Sequence, residues 1–361
     1  MTVYAIARCC TSFPAGSIAD RWGAVPVISL CLFTIAVCGI LGSVGDSYPV
    51  MLAFRVLVSV SVAMIFIAAV DAIPKYMPAE QVGSGIGYIN ASLNVGIALT
   101  LFMTPILADM LGWRWTARLY SLSFFVLLLI SIPLLRSPPK PTQISTDRTG
   151  ERAITFAELV ANPSVVLLAL GAGVLFIELY GVLTWVPGFL GSAYQYSPAE
   201  IGTSATMFGI AAIPASIVTG KMCTNLNRIV WLCVSGGLLA GVGILLLLTT
   251  AHFPLAVTVA IISVITWGHS QVIVTIMCLG SLVVPPHSSG KALGLIFTFA
   301  YAGSIVPTYL GGYLLTKTGG HTLSFIIFAT AAFVSIVVML GVGSRLRDDT
   351  PAHFVLKLDS T

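Results

Sequence analysis

The sequence predicts an all-α protein that crosses a membrane many times. Three observations support this: 57% of the 361 residues are hydrophobic, only 8% are charged, and apolar runs of membrane-spanning length recur. A soluble domain carries about 25% charged residues, and a helix needs about 20 apolar residues to cross the hydrocarbon core. This composition excludes a soluble enzyme, a nucleic-acid-binding protein and a disordered chain.

Eleven apolar runs are long enough to be membrane helices. They lie at 2–18, 24–44, 50–73, 84–108, 116–135, 164–190, 200–219, 229–250, 255–284, 291–315 and 321–342. The longest polar stretch predicts four parts: a five-span bundle (1–135), a central cytoplasmic loop (136–163), a six-span bundle (164–342) and a tail (343–361). Within the loop, residues 153–161 fit a short interfacial helix and a plain linker equally well.

The basic residues in the loops indicate the orientation. When the loop at Asp20 is cytoplasmic, the loops on that side hold twelve basic residues and the outer loops hold three. The cytoplasmic set is Arg21, Lys75, Arg136, Lys140, Arg148, Arg152, Lys221, Arg228, Lys291, Arg345, Arg347 and Lys357, and the outer set is Arg114, Arg118 and Lys317. We expect a monomeric, multi-pass protein of the cell membrane with a cytoplasmic C-terminus, in contact with lipid and not with nucleic acid.

Four glycines repeat at a fixed distance along the chain. Adding 207 to positions 83, 87, 96 and 112 gives glycines again, at 290, 294, 303 and 319. An ungapped match over this distance indicates two parallel halves, an architecture known among transporters. The same shift leaves run 164–190 without a partner, which would precede residue 1. The first half therefore lacks the helix that would match it.

Several motifs resemble those of the major facilitator superfamily. The segment Gly16-Ser17-Ile18-Ala19-Asp20-Arg21-Trp22-Gly23 resembles its G-x-L-x-D-R-x-G signature, which joins helices two and three. Arg55 is similar to the family's helix-four arginine, Gly112-Trp113-Arg114-Trp115 to the start of helix six, and the segment from Gly303 to Gly320 to the end of helix eleven. The resemblance implies two parallel six-helix halves, here without the first helix, and secondary transport of a small solute.

Helix five gives a finer resemblance. The G-P-x-x-G-G pattern of proton-coupled drug exporters is absent near 100–105, where Thr100-Leu101 and Thr104-Pro105 stand instead. Asn94-Val95-Gly96 followed by Pro105 resembles helix five of the nitrate/nitrite porters, which makes Asn94 a candidate binding residue. That subfamily's helix-two arginine would fall at Ser12, one helical turn from Arg8.

Two arginines lie inside apolar runs, where a charge costs at least a few kcal/mol and indicates function. Tyr4, Arg8 and Ser12 form one polar stripe on a helix face. Arg8 is a candidate anion ligand, with a structural pair or a snorkelling side chain as the alternatives. Arg55 is a second candidate ligand, and its alternative is snorkelling to the outer interface.

Three further residues near the middle of their runs are candidates for binding or coupling. Glu178 is central in 164–190 and fits a proton-carrying carboxylate; the alternative is a neutral carboxyl bonded within the bundle. His269 is central in 255–284 and fits either a proton relay or a packed neutral histidine. Tyr301 belongs to a polar stripe with Ser304 and Thr308, which fits cavity lining and interhelical bonding equally well.

Asp20, Arg21 and Asp71 form a predicted gating latch. Asp71 lies at the cytoplasmic end of the same run as Arg55, about 160° around the helix from it. We therefore expect Asp71 to pair with the basic side of the Asp20-Arg21 loop. Asp20 also fits a plain helix cap.

The search for enzyme motifs is negative, because phosphate-binding, zinc-protease and serine-hydrolase motifs are absent and the histidines lack metal-ligand spacing. We expect no cofactor and no metal. The sequence predicts a secondary transporter of a small organic or inorganic anion, moved with protons. A proton-coupled exporter of drugs or metabolites and a membrane substrate sensor that does not transport are the alternatives.

Overall fold

The computed structural model describes residues 2–135, 154–249, 252–285 and 288–349, and no β-strand occurs within these ranges. In chain order the helices are α1 (Thr2–Trp22), α2 (Ala24–Val44), α3 (Tyr48–Tyr76), α4 (Ala79–Leu111), α5 (Trp113–Leu135), α6 (Phe156–Ala161), α7 (Pro163–Ala193), α8 (Pro198–Ile210), α9 (Ala212–Met222), α10 (Leu226–Leu247), α11 (Leu255–Leu282), α12 (Ser289–Thr318) and α13 (Thr322–Asp349). Within the described residues, ten helices are long and apolar enough to cross a bilayer. The prediction of an all-α polytopic membrane protein is confirmed.

The sequence predicts eleven spans. The one that is missing from these ten is the first, which corresponds to helix α1. It is 21 residues long, but Arg8, Asp20 and Arg21 make it less apolar than the other helices. It nevertheless packs against α3 and α12, with Ser12, Ala15, Gly16 and Ala19 buried.

The predicted boundaries change at three places. Residues 153–161, for which a helix and a linker were both open, contain helix α6, whose start carries a capping box formed by Thr155 and Glu158. The span predicted at 200–219 is broken into α8 and α9 near Ala211, because Pro214 has no N–H to continue the helix. The predicted tail begins inside α13, while residues 136–153 of the central loop lie outside the described ranges.

Two of the repeated glycines, Gly83 and Gly290, lie at close helix crossings. A methyl group added to Gly83 of α4 would lie 2.6 Å from the carbonyl oxygen of Gly220 and 2.9 Å from Cβ of Cys223, both near the end of α9. One added to Gly290 of α12 would lie 2.7 Å from the carbonyl oxygen of Gly16 on α1. The shift of 207 that relates Gly83 to Gly290 also relates position 16 to 223. We call these contacts the α4–α9 crossing and the α1–α12 crossing.

Both crossings lie at the same end of the bundle, where α1 and α9 end and α4 and α12 begin. We call this the Asp20 end and the opposite one the Thr2 end. At the Thr2 end the repeated Gly112 and Gly319 close α4 and α12 with φ angles of 77° and 71°. Glycine adopts such angles without the steric cost other residues meet, so both positions favour glycine, although their ψ angles of 157° and 5° differ.

The two repeats differ in the packing of their last two helices. In the most apolar 18-residue segments of α12 and α13, 56% and 50% of the residues are buried, because α7 packs against both helices. In the corresponding segments of α4 and α5, only 11% and 17% of the residues are buried. Gly303 packs on the backbone of Gly173 in α7, whereas its counterpart Gly96 has no such neighbour within 4 Å. In the described ranges no helix takes the place of α7 beside α4 and α5, where the sequence predicts the unmatched first helix.

Candidate functional site

Arg8 extends from α1 into a group of tyrosines contributed by three helices. Its guanidinium donates a hydrogen bond to the hydroxyl of Tyr4 and lies 4.2 Å from the centroid of that ring. It also lies 5.2 Å from the ring centroid of Tyr301 on α12, and it interacts electrostatically with Tyr180 of α7. Nε of Arg8 is buried without a hydrogen-bond partner, and no carboxylate pairs with Arg8 in the described part of the chain. The arrangement leaves a cation with unused hydrogen-bonding capacity.

The second predicted arginine does not join this group. The side chain of Arg55 is exposed. The contact of α3 with α1 is made one turn further along, where Ser59 Oγ donates to the carbonyl oxygen of Tyr4 at 2.9 Å. Of the two intramembrane arginines, only Arg8 lies among side chains from both repeats.

Glu178 and His269 form a buried pair between α7 and α11. Oε1 of Glu178 is in hydrogen-bond contact with Nε2 of His269, and the side chains are 0% and 3% exposed. Oε2 of Glu178 and Nδ1 of His269 have no hydrogen-bond partner. Tyr180 is two residues from Glu178, about 200° around α7, so the pair faces α11 while Tyr180 faces Arg8. Glu178 therefore has a partner on α11, and the pair is separate from the arginine group.

Asn94 belongs to a polar contact between α4 and α9. Its side-chain amide donates to the carbonyl oxygen of Asn90 at 2.8 Å and to Oγ of Ser216 at 3.4 Å. The amide of Asn90 donates to the same hydroxyl at 2.8 Å. These contacts join the two helices on the side of the α4–α9 crossing nearer the Thr2 end. Asn94 therefore lies on a different helix pair from Arg8.

The side chain of Asp20, a residue of α1, lies beside the start of α12. Its Oδ1 accepts from the backbone N–H of Gly290 at 3.1 Å, and its Oδ2 accepts from that of Lys291 at 3.0 Å. Backbone N–H groups at a helix start have no intrahelical partner and carry a partial positive charge. The carboxylate therefore stabilises the α1–α12 crossing from α1.

Lys75 connects Asp71, the second acid of the predicted latch, to Asp20. Lys75 Nζ lies 2.6 Å from Oδ2 of Asp71 and 3.1 Å from Oδ1 of Asp20, while Ser289 Oγ donates to Asp71 at 2.5 Å. The prediction that Asp71 pairs with the basic side of the loop is wrong. Arg21 is exposed, because it lies about 100° around α1 from Asp20, and Lys75 takes the bridging position.

Sequence reasoning missed Lys75, Asn90 and Ser216. Lys75 was assigned to a loop, although its spacing of four residues from Asp71 is the signal of a pair on one helix face. Asn90 and Ser216 carry no such signal. In the described residues no group of three or more His, Cys, Asp or Glu side chains could hold a metal ion.

Comparison with known proteins decides the family. A family model described as the Major Facilitator Superfamily matches residues 1–308. The chain belongs to the Major Facilitator Superfamily. As a member of this superfamily it is a multi-pass membrane transporter of small solutes and not an enzyme.

Relatives within the superfamily cover most of the chain. A nitrite extrusion protein of Bacillus subtilis is 24% identical over 91% of this chain and 80% of its own length. A gentisate transporter of Corynebacterium glutamicum is 26% identical over 68% of this chain and 55% of its own length. The crystal structure of the superfamily transporter FucP in the outward conformation matches with a TM-score of 0.75 and 12% identity, over 94% of this chain and 88% of that one. The similarity to FucP extends the family assignment to the fold.

Proposed function

We propose that this protein is a secondary transporter of small anions that binds its substrate at Arg8 and exposes it alternately to the two sides of the membrane. The observation that carries the proposal is the environment of Arg8. A guanidinium held between helices of both repeats, with a buried unpartnered Nε and no carboxylate partner among the described residues, attracts an anion. Arginine forks match carboxylate and nitrate-like oxygens in bidentate geometry.

The relatives support the same substrate class. Both the nitrite extrusion protein and the gentisate transporter are named for anions. Their similarity to this chain is low, so they support a class of substrate and not a particular one.

The two close crossings at the Asp20 end support alternating access. They join α1–α5 to α7–α13, which we take as the two bundles that rock against each other, with Asp20, Lys75 and Asp71 as the latch of one crossing. In this conformation the Asp20 end is shut, so the anion enters from the Thr2 end. From the charge distribution of the loops we infer that the Asp20 end and the C-terminus face the cytoplasm of a cell-membrane protein, and we propose that it works as a monomer.

We assign proton coupling to the Glu178–His269 pair. The two ionisable side chains are in contact and almost fully buried. The pair joins α7 to α11 within the second bundle, while Arg8 approaches α7 from its other face. A change in the protonation of the pair therefore reaches the anion site through α7, and Arg55 and Asn94 have no direct part in binding.

The test of the proposal is uptake into proteoliposomes containing the purified 361-residue chain. We expect anionic solutes such as nitrite or 2,5-dihydroxybenzoate (gentisate) to enter in a protein-dependent manner. This entry should be faster when the solution outside the vesicles is more acidic than the solution inside. A protein that binds these anions without filling the vesicles would be a sensor, which would contradict the proposal.

A further inference from the structure

Aromatic rings surround the anion site on the side of the second repeat. On α7, the ring centroids of Phe176 and Tyr180 are 5.5 Å apart, and on α12 those of Phe297 and Tyr301 are 6.0 Å apart. The two helices meet in an edge-on contact between Phe176 and Tyr301, at 5.7 Å and 87°. From the first repeat, Phe66 of α3 meets Phe297 edge-on at 5.2 Å.

These rings form two layers. Phe176 and Phe297 each precede a tyrosine by four residues, which puts them one helical turn, about 5.4 Å, nearer the Asp20 end. Tyr180 and Tyr301 lie level with Arg8, and the phenylalanines lie beneath. We call Phe66, Phe176 and Phe297 the phenylalanine floor. Phe176 and Phe297 are buried at 7% and 3% exposure, while Phe66 is partly exposed. A solute that reaches Arg8 from the Thr2 end therefore has a cation beside it and, beneath the tyrosines, an apolar base that it contacts first through Phe66.

We propose that the physiological substrate is an aromatic carboxylate, with its carboxylate on Arg8 and its ring against the phenylalanine floor. This inference rests on the proposed function and narrows its substrate class. Aromatic rings attract one another most in edge-on or offset contact, and edge-on pairs already dominate this layer. A small inorganic anion needs hydrogen-bond donors on all sides, whereas phenylalanine offers none and removes water.

The experiment measures binding to the purified full chain with three probes: benzoate, cyclohexanecarboxylate and nitrate. Benzoate and cyclohexanecarboxylate share the carboxylate and nearly the same size, so their difference reports the aromatic contact alone. We expect benzoate to bind at least about threefold more tightly than cyclohexanecarboxylate, as edge-on ring contacts predict. Nitrate should bind at least about tenfold more weakly than benzoate, since it buries no ring.

Two variants test whether the phenylalanine floor causes the preference for benzoate over cyclohexanecarboxylate. Phe297→Leu should bring benzoate and cyclohexanecarboxylate to nearly equal affinity, and Phe66→Leu, at a less buried position, gives a second reading if Phe297→Leu does not fold. The matched control is Phe102→Leu on α4, whose side chain is 59% exposed. It should keep the preference of the unmodified protein.

The outcomes separate this inference from the proposed function. If nitrate binds as tightly as benzoate, or cyclohexanecarboxylate equals benzoate in the unmodified protein, the aromatic assignment is overturned while the anion site stands. A ring preference that survives in both floor variants also overturns it. If none of the three anions binds, both proposals fall.

Discussion

Arg8 keeps its charge without a carboxylate among the described residues, and tyrosine rings take the place of a counter-ion. Cation–π contact and the hydrogen bond to Tyr4 stabilise the guanidinium. Neither neutralises it, so an arriving anion gains the full charge-assisted interaction. The planar donor fork determines which anions fit.

The first prediction tests that fork. Arg8→Lys keeps the charge and loses the bidentate geometry and the stacking on Tyr301. We expect affinity for benzoate to fall about tenfold, equivalent to about 1.4 kcal/mol, with the protein still folded. Isothermal titration measures it, and unchanged affinity in Arg8→Lys would remove Arg8 from the contact with the anion.

The second prediction concerns the buried pair. Glu178→Gln keeps the shape of the side chain and removes its ionisable proton, so benzoate exchange across the vesicle membrane should continue. Accumulation driven by a pH gradient, measured above that of empty liposomes because benzoic acid crosses bilayers unaided, should disappear, because glutamine neither binds nor releases a proton. Counterflow and gradient-driven uptake, measured on the same vesicles, separate the two effects.

The control for this substitution is Glu80→Gln, which makes the same change at an exposed carboxylate of α4. Both activities should persist in it. If Glu178→Gln accumulates substrate as the unmodified protein does, coupling through the pair is refuted.

At the residue scale, the sequence predicts which side chains are functional candidates better than it predicts which side chains they contact. Arg8, Glu178 and His269 stand out because charges and histidines are rare in apolar runs. Their partners do not, because residues 178 and 269 are 91 positions apart and helical periodicity does not say which faces meet. The pairing required the packing of α7 on α11.

At the level of elements, the start of α12 and the end of α1 make one electrostatic contact. Asp20 accepts from two backbone N–H groups of α12 and from Lys75 of α3, so a single carboxylate joins three helices. The position related to Asp20 by the shift of 207 is Asn227, which has no charge and lies in α10, where Arg347 donates to it. The charged latch is therefore confined to one of the two crossings.

The third prediction tests this latch. Asp20→Asn removes the charge and weakens the acceptor, and a charged hydrogen bond contributes about 1.5–3 kcal/mol. We expect the balance to shift toward a conformation open at the Asp20 end, with slower transport and nearly unchanged benzoate affinity. The measurement is initial uptake rate beside equilibrium binding.

The control is Asp46→Asn at the Thr2 end, where Asp46 pairs with Arg114 at 2.7 Å and its side chain is 88% exposed. Exposed ion pairs contribute about 0–1 kcal/mol, so its uptake rate should match that of the unmodified protein. A loss of benzoate binding in Asp20→Asn would contradict a latch remote from the site.

The order and positions of the helices could be predicted from the sequence, because apolar length and turn residues determine them. The break between α8 and α9 is consistent with Pro214, which has no N–H to donate to the preceding turn. The open face of α4 and α5 follows from the repeat, which shows that run 164–190 has no counterpart. Lys75 could not be assigned, because a residue at a span boundary fits a loop and a helix end equally well.

On the scale of the whole molecule, the repeat links two distant contacts. The α4–α9 and α1–α12 crossings are formed by glycines related by the same shift, and both join α1–α5 to α7–α13. If these parts move as rigid bodies, opening one crossing opens the other. This coupling distinguishes a rocking motion from local flexibility.

The fourth prediction uses the native Cys223, which lies in the α4–α9 crossing and is 7% exposed. Gly290→Ala acts at the other crossing, where its methyl group would lie 2.7 Å from both the Gly16 carbonyl oxygen and the Asp20 carboxylate. We expect faster labelling of Cys223 by N-ethylmaleimide, followed by peptide mass spectrometry. Gly96→Ala, which meets no atom within 4 Å, is the control and should leave the rate unchanged; an unchanged rate in Gly290→Ala would contradict rigid-body rocking.

The measurement that tests the central claim most directly is uptake of radiolabelled benzoate and of a labelled organic cation, tetraphenylphosphonium, into proteoliposomes containing the unmodified protein or Arg8→Ala. Empty liposomes give the background for both solutes, because tetraphenylphosphonium is a lipophilic cation and benzoate crosses bilayers as neutral benzoic acid. We predict protein-dependent benzoate uptake that falls at least about tenfold in Arg8→Ala, because a charged hydrogen bond in the site is lost, and no protein-dependent uptake of the cation. Protein-dependent uptake of the cation that is equally fast in Arg8→Ala, with no uptake of benzoate, would contradict an anion transporter built around Arg8.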